Sequence, residues 1–144
     1  MVKVEKTVLV HHTAEQMFRL VDDVEDYQQF LPWCGGVEVH ERTDSVTHAT
    51  IHIHYHGLKQ FFSTRNQKQF PYHMQMDLHD GPFKHFQGNW DFTPLGEDAC
   101  KIAFVLEYEF SNPILGKIIS PVFHHIANTF VDSFVSRADQ VFKD

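Results

Sequence analysis

Four histidines, His48, His52, His54 and His56, lie in one short run. A His-x-His spacing can chelate zinc or copper, because alternate residues of a strand share one face about 6.6 Å apart. The interleaved Ala49, Ile51, Ile53 and Tyr55 make a good core face. That turns the histidines to solvent, and no third ligand such as a nearby Cys or Glu completes a set. We therefore expect a solvated strand face and no metal site. The carboxylates Asp77, Asp91, Glu107 and Glu109 fall on wet faces, which gives a paired-carboxylate hydrolase no support. Ser63 and Ser133 lack the Gly-x-Ser-x-Gly elbow, and there is no phosphate loop or dinucleotide fingerprint. No catalytic residue is expected.

Arg137 is a different kind of candidate. It lies on the apolar stripe Phe123, Ala127, Phe130, Phe134, Ala138 and Val141. A cation there is costly unless it is paired or reaches water. Two readings stand: an aliphatic stem packed on the sheet with its head in solvent, or a cavity-mouth cation that meets a ligand's polar head or a carboxylate.

These residues need elements to position them. Val2, Val4, Val8 and Val10 alternate as a first strand. Thr13-Ala14-Glu15-Gln16 is a capping box, followed by Met17, Phe18, Leu20 and Val21 at helical spacing. Val24, Tyr27, Phe30 and Leu31 predict a second short helix, stopped by Pro32. From Val37 to Phe110 the period is two, interrupted near Ser45, Pro71, Gly81 and Gly96, which predicts about six further strands. Tyr72, Met74, Met76 and Leu78 form one dry row, and Ile102, Phe104, Leu106, Tyr108 and Phe110 another. One wet and one dry face mark an antiparallel sheet covered on one side. Ser120-Pro121 reads as N-cap and first residue of a long helix over about 121 to 142, with residues 113 to 119 as a separate turn. The dry sheet face and the dry helix face are each other's best cover. The expected fold is α+β of the helix-grip type: a curved antiparallel sheet of about seven strands around a long C-terminal helix, in one domain over residues 1–144.

The chain has 144 residues, 42% hydrophobic, and fourteen Phe that need a deep core or an aromatic-lined cavity. No apolar run reaches the roughly 20 residues of a membrane span, and the N-terminus has no signal-peptide core. A cytoplasmic protein is expected, with Cys34 and Cys100 as reduced thiols. The net charge of −7 disfavours direct binding to DNA or bare RNA. Protonating all twelve histidines would carry it to about +5, so the surface field is sensitive to pH near 6.5.

Several motifs carry a family resemblance. Tyr27-Gln28-Gln29-Phe30-Leu31-Pro32-Trp33-Cys34, Phe62-Ser63-Thr64-Arg65-Asn66, Asp80-Gly81-Pro82-Phe83, Trp90-Asp91-Phe92-Thr93-Pro94-Leu95, Phe110-Ser111-Asn112 and Val135-Ser136-Arg137-Ala138 resemble the bacterial RatA proteins. These belong with the coenzyme Q-binding proteins in the START-like, polyketide cyclase/dehydrase superfamily. Gln28 departs from the family, which usually has Pro after the Tyr. The resemblance implies the helix-grip fold and two functions. One is binding of ubiquinone or a related polyprenyl lipid in support of respiration. The other is a toxin's association with the large ribosomal subunit, which blocks subunit joining. On the first, no cofactor is required, ubiquinone is the expected ligand, and transient contact with the inner membrane stays open. The lining is expected from Phe62, Met74, Met76, Trp90, Phe104, Tyr108, Phe130 and Phe134, with Arg137 at the mouth. On the second, the contacts are expected from Pro32-Trp33 and Asp80-Gly81-Pro82-Phe83.

Overall fold

A computed structural model describes residues 1–142. Strand β1 (Val2–Val10) leads into helix α1 (Ala14–Asp22) and a 3-10 helix (Val24–Gln29). Six strands follow: β2 (Cys34–Arg42), β3 (Val46–Tyr55), β4 (Leu58–Gln69), β5 (His73–Asp80), β6 (Phe83–Pro94) and β7 (Cys100–Phe110). Helix α2 (Pro113–Val141) follows them. The seven strands form one antiparallel sheet in the order β1-β7-β6-β5-β4-β3-β2. The sheet curves around α2, which is the helix-grip arrangement. Strands β1 and β2 therefore sit at opposite edges, and α1 with the 3-10 helix bridges from one to the other.

Local chemistry explains the boundaries. Thr13 Oγ1 accepts from the Gln16 N–H at 3.1 Å, and Gln16 Oε1 accepts from the Thr13 N–H at 2.9 Å. This reciprocal box supplies acceptors to two donors at the start of α1. Between β3 and β4, His56 and Gly57 both take positive φ, 50° and 81°. Two such residues make the tight turn whose twist matches a hairpin, and glycine accepts that conformation without steric cost. His56 thus leaves the strand and cannot share a face with His54.

Helix α2 corrects the expected start at Ser120-Pro121. It is continuous from Pro113, with Asn112 as N-cap: Asn112 Oδ1 accepts from the N–H groups of Ile114 at 2.8 Å and Leu115 at 3.3 Å. Pro113 then occupies a first-turn position, where the missing N–H costs nothing. Pro121 lies inside the helix. It removes one backbone bond, to the carbonyl of Lys117, and both residues are exposed, so water can serve that carbonyl. At 1.5 Å per residue α2 is about 43 Å long. Its apolar stripe also ends earlier than expected. Ala138 is fully buried, whereas Val141 is exposed.

The dry rows face inward as the alternation requires. Ile102, Phe104, Leu106 and Tyr108 on β7, Phe86, Trp90 and Phe92 on β6, and Ala49, Ile51 and Ile53 on β3 are all buried with Phe123, Ile126, Ala127, Val131 and Phe134 of α2. Tyr72 is the exception in its row: it precedes β5 and is exposed.

Candidate functional site

Two aromatic clusters hold α2 on the sheet. Phe123 meets Phe83 at 5.0 Å, Tyr108 at 4.8 Å and Phe62 at 6.2 Å between ring centroids. Two turns further on, Phe130 meets Trp33, Trp90 and Phe104, and Phe134 meets Tyr27 at 5.2 Å. A cavity of about 40 Å³ remains under the middle of the helix. Its wall comes from Val24 and Tyr27 of the 3-10 helix, Trp33 beside it, and Ala49, Ile51, Phe62, Thr64, Asn66 and Met76 of β3 to β5. Phe86, Phe104, Leu106, Phe123, Ile126, Ala127 and Phe130 complete it. Only Met76 and Phe130 of this wall are partly exposed. The volume suits a few waters. Drug-sized ligands occupy roughly 300–1,000 Å³, so a lipid head enters only if wall side chains swing aside.

Gly88 explains how Met76 comes to lie there. A Cβ at this position would stand 2.5 Å from Met76 Cε and 3.5 Å from Leu106 Cδ1. The bare glycine backbone lets the Met76 side chain cross β6 toward the wall.

The wall is apolar except at four places. Tyr27 donates its hydroxyl to the Val21 carbonyl, and burial raises its pKa well above the usual range. Thr64 and Asn66 point inward from β4 and are both buried. Asn66 Oδ1 and Trp33 Nε1 have no hydrogen-bond partner. A buried polar group left in that state costs about 1–3 kcal/mol. The inward row of β4 continues past Asn66 to Lys68, which is taken up elsewhere: its ammonium lies 3.0 Å from Asp22 Oδ2, with Lys68 only 5% and Asp22 16% exposed. The Thr47 hydroxyl donates to the other Asp22 oxygen at 2.7 Å.

Of the residues expected in the lining, Phe62, Met76, Phe104 and Phe130 stand in the cavity wall. Met74, Trp90, Tyr108 and Phe134 are fully buried but lie outside it, the last three packed among other rings. Burial also raises the Tyr108 pKa. Arg137 does not sit at the cavity mouth. Its guanidinium lies over the Phe30 ring, 5.3 Å from the centroid, and donates to Gln29 Oε1 at 2.8 Å. Neither Phe30 nor Gln29 belongs to the wall, so the stem packs and the head stays on the surface side of the 3-10 helix. The sequence reading missed Tyr27, Trp33, Thr64 and Asn66. A period-two reading of β4 from Phe62 would have carried Thr64 and Asn66 inward.

The histidine run separates in space. His52 Nε2 meets Glu38 Oε1 at 2.9 Å, and His54 is exposed. His48 instead joins residues of neighbouring strands, with His40 at 4.9 Å and His79 at 4.3 Å between ring centroids. Burial, then the nearby His79 and His40, lower the His48 pKa. Among the described residues no group of three His, Cys, Asp or Glu could hold a metal ion. Cys34 and Cys100 are free and buried, and burial pushes the Cys100 thiol up to about 11. No described helix is long and apolar enough to cross a membrane.

Comparison with known proteins gives the fold its relatives. The sequence profile described as "Polyketide cyclase / dehydrase and lipid transport" matches residues 10–135. The chain belongs to this family. Within it, the ribosome association toxin RatA of Escherichia coli K12 is 40% identical over 142 residues, which is 99% of this chain and 90% of the relative. The mitochondrial coenzyme Q-binding protein COQ10 homolog B of Xenopus laevis is 25% identical over 134 residues, 90% of this chain and 55% of the relative. Among solved structures, the Zhui aromatase/cyclase of Streptomyces sp. R1128 superposes with a TM-score of 0.83 at 15% identity, covering 99% of this chain and 96% of the other. That likeness shows the fold. The fold is thus shared by a protein named as an enzyme and by relatives named for binding and association.

Proposed function

We propose that this chain binds a hydrophobic ligand of the ubiquinone or polyprenyl type between α2 and the sheet, and catalyses no reaction on it. The carrying observation is the wall itself: an almost wholly apolar and aromatic surface enclosed between helix and sheet. It contains no carboxylate, histidine or lysine to move a proton, and its one phenol, Tyr27, is committed to a backbone carbonyl. The coenzyme Q-binding relative supports the ligand class. Affinity would come from apolar burial at about 25 cal/mol per Å², less the cost of opening the wall. The test is lipid extraction of the protein purified from its native host, analysed by mass spectrometry, with a thermal melt in added quinone. A co-purifying quinone or a raised melting temperature supports the reading. If no lipid is recovered and the melt does not move, the reading fails.

A second reading, association with the ribosome, is favoured by the 40% identity to RatA over nearly the whole chain. Of the loop residues expected to carry it, Pro32 and Asp80 are exposed, while Trp33 and Phe83 are not. Trp33 and Phe83 are only 2% and 6% exposed, so they brace the core and cannot be contact tips. The exposed apolar residues at the start of α2, Ile114 and Ile118, are better placed. Sucrose-gradient profiling after overexpression should show free subunits accumulating. An unchanged profile removes this reading and leaves the first untouched.

A further inference from the structure

Asn66 is an uncommon residue for the middle of an apolar wall. It is 5% exposed, and its Oδ1 has no partner. Its β-sheet neighbours do not account for it. Across the ladder it faces Thr47, whose hydroxyl is given to Asp22, and Met76, which is apolar. The carboxamide offers one acceptor and two donors, and it can present either by turning over. Trp33, another residue of the same wall, carries a second unpartnered group, an indole N–H that only donates. Each is a buried polar group that calls for an explanation.

We propose that Asn66, with the Trp33 N–H as a second donor, recognises the head of the ligand, and that this head is neutral and bears carbonyl or hydroxyl oxygen. The proposal rests on the ligand-binding reading above and sharpens it. Neutrality follows from the charges nearby. The one cation on the inward row of β4, Lys68, is paired with Asp22 and lies outside the wall. A fatty-acid carboxylate in the cavity would therefore be buried without a counter-ion, which is costly. A pure hydrocarbon would fit the apolar wall but leave Asn66 and Trp33 unpaired. A carbonyl accepts from the indole N–H or the amide N–H. A hydroxyl can in addition donate to the amide oxygen. Quinones, quinols and prenylated phenols meet these demands, whereas fatty acids and alkanes do not.

The experiment compares three probes on the wild-type protein and on Asn66→Leu. The probes are a short-chain ubiquinone, palmitate, and an alkane matched in length to the quinone's tail. Wild type should bind the quinone at least tenfold more tightly than either of the others. Asn66→Leu should lose roughly 10- to 100-fold in quinone affinity, gain affinity for the alkane, and melt no lower than wild type. Wild type that prefers palmitate overturns the proposal without need of the variant. So does a folded Asn66→Leu protein that binds quinone as wild type does, and in that case the ligand reading survives. Wild type that binds none of the three overturns both. Should Asn66→Leu not fold, Trp33→Phe removes the second donor and keeps an aromatic ring. Quinone affinity should then fall at least threefold, and unchanged affinity counts against the proposal.

Discussion

Replacing Lys68 by Met tests the buried ion pair that closes one end of the inward row of β4. The ammonium and the Asp22 carboxylate stand 3.0 Å apart and nearly out of water. At an effective dielectric of 20 their attraction is about 5 kcal/mol. Desolvating the ammonium offsets part of it, so the pair's net worth is smaller. Removing Lys68 alone is different, because it leaves Asp22 charged and buried. Asp22 is the last residue of α1, where the helix dipole disfavours an anion, and Asp23 and Glu25 lie close by. Its remaining help is the Thr47 hydroxyl and the nearby Arg42 guanidinium, which donates to the Asp22 carbonyl at 2.8 Å. Removal of one partner of a buried pair costs about 3–5 kcal/mol, and the Thr47 bond places this case near 3. Lys68→Met should thus lower the free energy of unfolding in urea by about 3 kcal/mol. Asp22→Asn alone should cost a similar amount. The double variant should cost at least about 2 kcal/mol less than the two singles combined, since neither charge is stranded. A single-variant loss below about 1 kcal/mol, or singles that add within about 0.5 kcal/mol, would refute the reasoning.

Further outcomes follow from the same structure. The folded His48 pKa lies below its unfolded value of about 6.5, so protonation favours the unfolded chain. Stability should decline as pH falls from about 6.5 through the lowered value, and His48→Gln should flatten that part of a melting-temperature profile. A slope unaltered by the variant would count against it. Arg137→Met removes an exposed hydrogen bond and a cation–π contact, so urea unfolding should show a loss of about 0.5–1 kcal/mol. Quinone titration should be unaffected. Cys100, buried with its thiol pushed up to about 11, should resist iodoacetamide at pH 8 until denaturant is added; alkylation of the native protein, read by mass, would contradict the placement.

What could be read from the chain was what depends on near neighbours. The capping box at Thr13 and the dry row of β7 are local patterns, and the structure realises them, while on β5 Met74 is buried and Met76 and Leu78 only partly so. The start of α2 was misplaced because Pro121 resembles a first helical residue, while Asn112-Pro113 offers the same signal earlier. The ion pair joins residues 46 positions apart on a helix and a strand, and no spacing rule links them. The contact of His40, His48 and His79 depends on which strands are neighbours and on their register. A reading along one strand therefore grouped His48 with the wrong partners. Asn66 was hidden in Ser63-Thr64-Arg65-Asn66, a polar stretch without an apolar residue to show which face is inside. Its inward placement follows once Phe62 is set opposite Ile51 and Thr64 opposite Ala49.

The strand order has a consequence for the chain as it is made. β1 is made before the other six strands, yet its one partner in the sheet is β7, with Val10 opposite Cys100. About 90 residues separate them, and at about 5–20 residues per second β1 waits roughly 5–18 s for its partner. Strands β2 to β6 can pair as successive hairpins during that interval, but α2 follows all seven strands, so their inner face stays uncovered until α2 has been made. A nascent chain stalled before β7 should therefore be a sheet without its lid and with one strand astray, the form most in need of a chaperone.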